Sequence, residues 1–162
     1  MIQHIPLEKI LFLDIETVPQ AGNWEELHET DQYLWDKKTK MQRKEDFTAE
    51  DFYSERGGIM AEFGKIICIS VGILEKSEKL MIKSFSGDDE RKLLEEFGEI
   101  FNHPKLHDVI LCAHNGKEFD FPWIARRFLI NGMQPPKPFQ LFGKKPWEIP
   151  HLDTMELWKF GD

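Results

Sequence analysis

Two acidic side chains near the end of an apolar run could bind a metal ion together. Asp14 and Glu16 belong to residues 9–16 (KILFLDIE), a run of strand length. Side chains two positions apart in a strand point to the same face, so these carboxylates project together while Leu13 and Ile15 point the other way. Carboxylate oxygens are the natural ligands of Mg²⁺ or Mn²⁺. Taken alone, the short D-x-E pattern favours the alternative that both acids are exposed at a strand end.

A third acid, Asp120, stands between a buried strand and a helix, at the end of residues 114–120 (HNGKEFD). Asn115 ends the strand, and the glycine after it lets the backbone approach a ligand closely. Phe119 could offer a stacking surface to a nucleotide base. Each of these features also has a structural alternative. Asp120 could be a helix N-cap ahead of Pro122, and Phe119 could be an anchor in the core.

The first half of the chain predicts a strand followed by a helical insertion. The insertion covers residues 19–63, which are charged and have no strand pattern. Within it, residues 23–40 are predicted to form a helix capped by Asn23. Residues 48–56 carry the capping-box spacing from Thr48 to Asp51, and the glycines that follow should end that helix.

The second half of the chain predicts a hairpin, two helices and two more strands. Strands are predicted at 65–74 and 79–85, joined by the turn EKSE at 75–78, and then at 108–113 and 151–160. Amphipathic helices are predicted at 86–101 and 121–133, and a proline-punctuated loop at 134–150. This order predicts a single α/β domain spanning 1–162, with a mixed five-stranded sheet flanked by helices, because a strand–helix–strand unit makes its strands parallel.

Composition limits the class of protein. With 21 basic and 29 acidic residues the formal charge is −8, which gives no bulk attraction for nucleic acid or anionic membranes, although an acidic metal site is compatible with it. Cys68 and Cys112 lie in apolar runs, as buried thiols of a reducing compartment do. The N-terminal residues have no apolar signal core and no apolar run approaches the length of a membrane span. We expect a soluble cytoplasmic protein without membrane contacts.

The stretches FLDIET (12–17) and HNGKEFD (114–120) together resemble the first two motifs of the DEDD 3′–5′ exonucleases, which have the RNase H-like fold. The closer resemblance is to bacterial predicted exonucleases related to the proofreading domain of family B DNA polymerases. It runs over nearly the whole chain and also includes FGKIICISVG (63–72), SFSGDDE (84–90), LINGM (129–133) and KKPWEIPHLDTMELWKFGD (144–162).

The resemblance implies a cofactor, a substrate and a set of site residues. In such enzymes four carboxylates hold two divalent ions, Mg²⁺ or Mn²⁺, about 3.5–4 Å apart. By resemblance, Asp14 would bridge the ions, Glu16 would bind the ion on the side of the attacking water, and Asp120 would hold the other. The substrate would be the 3′ end of a nucleic acid, in particular single-stranded DNA. The residues expected to contact its terminal nucleotide are Thr17, Asn115 and Phe119.

The chain departs from this family pattern in its third motif. No Tyr-x-x-x-Asp or His-x-x-x-x-Asp follows residue 120, and the resemblance places Asp153 on the last strand rather than among the metal ligands. We therefore expect a C-terminally incomplete domain with weak metal binding and little nuclease activity, which self-associates through an uncovered apolar part of its sheet. The alternatives are a catalytically inactive module that binds nucleic acid or protein, and a metal-free structural domain.

Overall fold

The structure is a computed structural model that describes residues 4–44, 46–75 and 79–161. Its strands are β1 (Ile10–Pro19), β2 (Gly64–Leu74), β3 (Leu80–Ser86), β4 (Ile110–Ala113) and β5 (Leu152–Asp153). Its α-helices are α1 (Glu29–Thr39), α2 (Ala49–Arg56), α3 (Glu90–Glu99), α4 (Asp120–Ile130) and α5 (Thr154–Lys159). Residues 76–78 of the predicted hairpin turn lie outside the described residues.

The five strands form one mixed sheet in the order β3-β2-β1-β4-β5, which confirms the predicted α/β architecture. β2 and β3 pair antiparallel as the predicted hairpin, whereas β1 pairs with β4, and β4 with β5, in parallel. Since β1, β4 and β5 run in the same direction, their carboxyl ends lie at one edge of the sheet. That edge carries both acidic segments singled out in the sequence.

The chain divides into two compact units, one made of the described residues of 1–16 and 67–162 and the other of residues 17–66. In the first unit, Phe97 of α3 is fully buried. It lies at the centre of an aromatic cluster, with ring centroids 5.3–6.4 Å from those of Phe85, Phe101, Phe128 and Phe139. Burial of large aromatic rings contributes strongly to core stability.

The second unit has a core of its own, which contains Leu27, Trp35, Tyr53 and Phe63. The Trp35 ring packs edge-on against Tyr53 and Phe63, with centroid distances of 5.3 and 5.0 Å. The predicted insertion at 19–63 falls within this unit. The predicted capping box is present at α2, where Thr48 and Asp51 each accept a backbone N–H of the other.

One helix prediction in this unit is partly wrong, because α1 begins at Glu29 and not after Asn23. The Asn23 side chain instead accepts the backbone N–H of Glu26 and donates to its carboxylate, with donor–acceptor distances of 3.0 and 2.9 Å. These two hydrogen bonds stabilise an isolated turn from Asn23 to Glu26, so the capping pattern at Asn23 belongs to this turn and not to a helix.

The prediction of a final strand at 151–160 is also wrong over most of its length. β5 has two residues, and α5 follows it at once. The cause is Asp153, whose carboxylate accepts the backbone N–H groups of Met155 and Glu156 and so starts a helix where the strand would continue.

The two cysteines differ in burial. Cys112 is buried as predicted, and burial raises the pKa of its thiol. Cys68 is only half-buried, because it lies on β2 beside the exposed strand β3. Neither cysteine is in a disulfide.

Within the described ranges, no helix is both long enough and apolar enough to span a membrane.

Candidate functional site

Strand β1 presents Asp14 and Glu16 on its exposed face. The strand alternates, with Leu13 and Ile15 buried and the two acids exposed, as the period of two in a half-buried strand requires. The predicted side-by-side projection is therefore confirmed. The acids do not lie in the core, which also agrees with the alternative of an exposed strand end.

Asp120 is buried at the first residue of α4, with 4% of its surface exposed. The N-cap position belongs to Phe119, and no side chain caps this helix. The interpretation of Asp120 as an N-cap is therefore wrong. The pKa of the Asp120 carboxyl is raised to about 6. Burial is the largest cause, and the negative charges of Asp14 and Asp153 act in the same direction, whereas hydrogen bonds from the backbone at Asp120 and Ile15 oppose them.

The hydrogen bond between the Asp120 carboxyl and the backbone at Ile15 places Asp120 beside the part of β1 that carries Asp14, and the charge of Asp14 acts on it there. Like-charged carboxylates that act on each other across a partly desolvated space are costly unless a cation lies between them. An all-oxygen donor set suits a hard divalent cation, and Mg²⁺ is commonly held by one or two carboxylates together with water and substrate oxygens. The residues present therefore fit such an ion. Among residues 4–44, 46–75 and 79–161, however, no three His, Cys, Asp or Glu side chains are grouped so that they could hold a metal.

Glu16 and Thr17, the next two predicted site residues of β1, belong to different units. Glu16 shares the exposed face of β1 with Asp14 and is the last residue of the first unit's N-terminal segment. Thr17 belongs to the second unit, where its hydroxyl donates to the carbonyl oxygen of Gly58 at 2.6 Å. Its hydroxyl hydrogen is therefore already used within that unit.

The turn from Asn115 to Glu118 carries the chain from β4 into α4. Asn115 has a φ of 60°, a left-handed conformation that asparagine tolerates better than most residues. Gly116 is packed so closely that a Cβ there would lie 2.5 Å from the Cβ of Ala113 and 2.9 Å from the ring of Phe121. The glycine is thus required by packing against the protein's own side chains, and the close approach to a ligand stays a prediction.

Asn115 also has a buried oxygen that the protein leaves unused. Its Oδ1 atom has no hydrogen-bond partner within the described part of the chain. Asn115 and Glu118 line a cavity of about 320 Å³ on the side that faces Asp153 and α5. Since a buried acceptor without a partner is costly, this oxygen is available to a donor group of a ligand.

Phe119 is half-buried and packs against Trp123 of α4, with ring centroids 6.1 Å apart. This contact agrees with the alternative of a core anchor, and part of the ring stays exposed beside Asp120. Both interpretations of Phe119 are therefore compatible with its position.

Asp153 is the residue of this region whose role the sequence did not reveal. It is 2% exposed, and its carboxylate accepts the backbone N–H groups of Asn115 at 2.9 Å and Lys117 at 3.1 Å in addition to those of α5. Burial alone would raise the pKa of Asp153, but the four backbone N–H groups outweigh it and hold this pKa below its usual range. The signal for its capping role was the D-x-x-E spacing from Asp153 to Glu156.

The fold has counterparts among solved structures, although no curated protein sequence matches the chain. E. coli exonuclease I in complex with a dT13 oligonucleotide resembles it with a TM-score of 0.52 and 10% identity, over 93% of this chain and 29% of that one. The metal-free form of the E. coli exonuclease I–single-stranded DNA complex gives a TM-score of 0.51 and 10% identity over the same shares.

A family B DNA polymerase from the hyperthermophilic archaeon Pyrobaculum calidifontis also matches, with a TM-score of 0.42 and 15% identity over 76% of this chain and 11% of the polymerase. The chain thus spans less than a third of the length of the structures it resembles. At such identities the likeness to exonuclease I establishes a shared fold. The sequence profile of the RNase H superfamily matches residues 51–159, about two thirds of the chain. The protein therefore belongs to the RNase H superfamily.

Proposed function

We propose that this chain is a metal-dependent 3′–5′ exonuclease domain, which hydrolyses phosphodiester bonds at the 3′ ends of nucleic acids. The observation that carries the proposal is the position of the buried Asp120 carboxyl: it is hydrogen-bonded to the backbone at Ile15, between Asp14 and Glu16, where the parallel strands β1 and β4 run toward their carboxyl ends. A buried acid near a second acid lowers the stability of the fold, and a bound cation would offset this cost.

Membership of the RNase H superfamily and the fold shared with exonuclease I support a nuclease. The exonuclease I structure is a complex with single-stranded DNA, which suggests the same class of substrate here. The acidic formal charge of −8 fits a site that meets phosphates through bound cations better than one that meets them through basic side chains.

Each site residue has a defined task in this proposal. Asp14 and Asp120 hold the divalent cation, Mg²⁺ or Mn²⁺, and Glu16 adds a third carboxylate from the same face of β1. When bound, the ion supplies Lewis-acid stabilisation of the phosphoryl oxygens and lowers the pKa of a bound water. The unused Oδ1 of Asn115 accepts a donor group of the terminal nucleotide, and the exposed part of Phe119 packs on its base.

We further propose that the site of these 162 residues is impaired. The family pattern uses four carboxylates and two ions, and Asp14, Glu16 and Asp120 are the three that match it. Asp153 is unsuited as the fourth, because its carboxylate already accepts four backbone N–H groups. We therefore expect weak binding of the metal and slow cleavage.

A binding module is the second candidate function, and one observation favours it. The described residues contain no ready-made group of three metal-binding side chains, so the domain could grip a nucleic-acid end without cleaving it. This candidate and the enzyme share Asn115 and Phe119 but differ in the product they form.

The experiment is digestion of a single-stranded DNA oligonucleotide, labelled at its 3′ end, under single-turnover conditions with Mg²⁺ or Mn²⁺. The exonuclease proposal predicts slow release of labelled mononucleotide that stops in EDTA and in the Asp120→Asn variant. The Asp88→Asn variant, which removes an exposed acid ahead of α3, is the matched control and should cleave like the unchanged chain.

Binding without any metal-dependent release would establish the binding module in place of the exonuclease. Fast digestion by a pure preparation would retain the exonuclease and overturn the proposed impairment. Release that Asp120→Asn leaves unchanged would point to a contaminating nuclease and contradict the assignment of the site.

A further inference from the structure

Asp153 contacts two neighbouring segments at once, and this arrangement carries an inference beyond the acids that bind the cation. Its Oδ1 atom accepts the N–H of Asn115 and the N–H of Met155, both at 2.9 Å, and the more distant N–H of Glu156 at 3.4 Å. Its Oδ2 atom accepts the N–H of Lys117 at 3.1 Å. The carboxylate therefore joins the turn after β4 to the first turn of α5.

We infer that Asp153 is a positioning residue of the candidate site: its carboxylate holds the backbone of Asn115 and Lys117, and through that turn it sets the place of Asp120. The link to cation binding rests on the proposed function. The link to the turn rests on the hydrogen bonds alone.

The turn needs an external anchor because its own conformation is unfavourable. Asn115 is in the left-handed region, and Gly116 packs so closely against Ala113 and Phe121 that a Cβ there would clash. The N–H groups of Asn115 and Lys117 lie in the part-buried turn that follows β4, where unpaired donors would cost free energy. Asp153 pairs both of them, since the register of the sheet places it directly beside Ala113.

The anchored turn leads into the helix that carries the buried acid. The carbonyl oxygen of Asn115 accepts the N–H of Phe119 at 2.9 Å, and that of Gly116 accepts the N–H of Phe121 at 2.9 Å. The donors of these two bonds, Phe119 and Phe121, are the residues directly before and after Asp120. A shift of Asn115 or Lys117 therefore moves the start of α4 and the Asp120 carboxylate with it.

Two substitutions separate the anchoring of the turn from the capping of α5. Asp153→Asn keeps one oxygen, which can stay with Asn115 and α5, and turns its NH₂ group toward the N–H of Lys117, where two donors oppose each other. Asp153→Ser keeps a good N-cap for α5 but is too short to reach the turn. Both variants thus preserve α5, and the second also serves if the first fails to fold.

The first measurement is amide hydrogen exchange by nuclear magnetic resonance, without metal. We expect Asp153→Asn to lose protection at Lys117 while Asn115 keeps it, and Asp153→Ser to lose protection at both. Met155 should remain protected in both variants. Unchanged protection at Asn115 and Lys117 in Asp153→Ser, or a loss spread over the whole sheet, would overturn the inference.

The second measurement is the affinity for Mn²⁺ by titration calorimetry. A misplaced Asp120 should weaken Mn²⁺ binding about 10- to 100-fold, the usual effect of removing a residue that orients a metal ligand. Phe97→Leu is the control that destabilises the fold without removing a contact of the turn, because its ring meets α4 at Phe128, eight residues after Asp120. It should bind Mn²⁺ as the unchanged chain does.

The two measurements keep this inference distinct from the proposed function. Undiminished Mn²⁺ affinity in the Asp153 variants, or equal losses in Phe97→Leu, would reduce Asp153 to a general structural role. If the unchanged chain binds no Mn²⁺, the proposed function fails, and the amide exchange at Asn115 and Lys117 then decides by itself whether Asp153 positions the turn.

Discussion

The carboxyl of Asp120 is buried at the start of α4, and the negative charge of Asp14 on β1 acts on it. Burial is the larger cause and the charge of Asp14 the smaller one, and together with the charge of Asp153 they raise the pKa of Asp120 to about 6. In the proposed cation site, a bound cation would offset the free energy lost by placing these negative charges near each other.

Replacement of the buried acid should therefore stabilise the metal-free protein. At pH 7.5 the raised pKa of Asp120, from 3.8 to about 6, corresponds to a cost of about 3 kcal/mol as an upper figure. We expect Asp120→Asn to raise the free energy of unfolding by up to that amount in metal-free buffer, as measured by chemical denaturation. Asp88→Asn is the control, and equal stability of Asp120→Asn and the unchanged chain would contradict the burial of a charged Asp120.

The pH dependence of stability should contain two opposing contributions. The folded state binds a proton at Asp120 more readily than the unfolded chain, so this contribution improves stability as the pH falls from about 6 to about 4. Buried His151 has a lowered pKa, and its Nδ1 accepts the N–H of Leu111, so the unfolded chain takes up that proton more readily and stability is lost as the pH falls through about 6.5.

Melting temperatures between about pH 4 and pH 8 separate these contributions. The Asp120→Asn variant lacks the stabilising contribution of Asp120 and keeps the destabilising contribution of His151. Its melting temperature should therefore fall more steeply below about pH 6.5 than that of the unchanged chain. Parallel curves for the two proteins would show that Asp120 titrates near its ordinary pKa.

The glycine of the turn should not tolerate a side chain. In Gly116→Ala the new Cβ would lie 2.5 Å from the Cβ of Ala113, so the turn must move, at a typical cost of about 1–3 kcal/mol. Gly132→Ala is the matched control, because Gly132 has a φ of 71° but no atom within 4 Å of the added Cβ, which leaves backbone strain of about 1 kcal/mol. Denaturation of both variants checks this order, and an equal or smaller loss in Gly116→Ala contradicts it.

The outer strand β3 should promote self-association of the protein. Among the described strands, β3 is the outermost next to β2, and it exposes Leu80 and Ile82 to 52% and 70%. Edge strands with exposed apolar side chains pair readily with other chains. We expect light scattering to detect dimers or larger species, and Ile82→Lys to reduce them while the control Ile130→Lys, on α4, does not. A monodisperse monomer of the unchanged chain would contradict this prediction.

The parts of the fold and site that the sequence predicted depend on local patterns. The alternation along β1 places Asp14 and Glu16 on one face whatever the rest of the chain does, and a strand followed by a helix puts Asp120 at the edge of the sheet. The parallel pairing of β4 and β5 followed from the helix between them in the same way.

The parts that the sequence did not predict depend on contacts between distant segments. Asn23 carries a helix signal that an isolated turn with Glu26 satisfies, and only the structure distinguishes the two. The role of Asp153 depends on its pairing beside Ala113, which brings its carboxylate to a turn 36–38 residues earlier in the chain. The burial of Asp120 likewise depends on the packing around α4, and spacing alone did not distinguish it from a helix cap.

The measurement that tests the central claim most directly is calorimetric titration of the protein with Mn²⁺ at about pH 7.5, where Asp120 is ionised, on the unchanged chain and on Asp14→Asn, Asp120→Asn and Asp88→Asn. If Asp14 and Asp120 hold a divalent cation, the unchanged chain and the Asp88 control bind Mn²⁺, and the other two variants lose that binding. Absence of binding in the unchanged chain, or undiminished binding in Asp14→Asn and Asp120→Asn, would contradict the account.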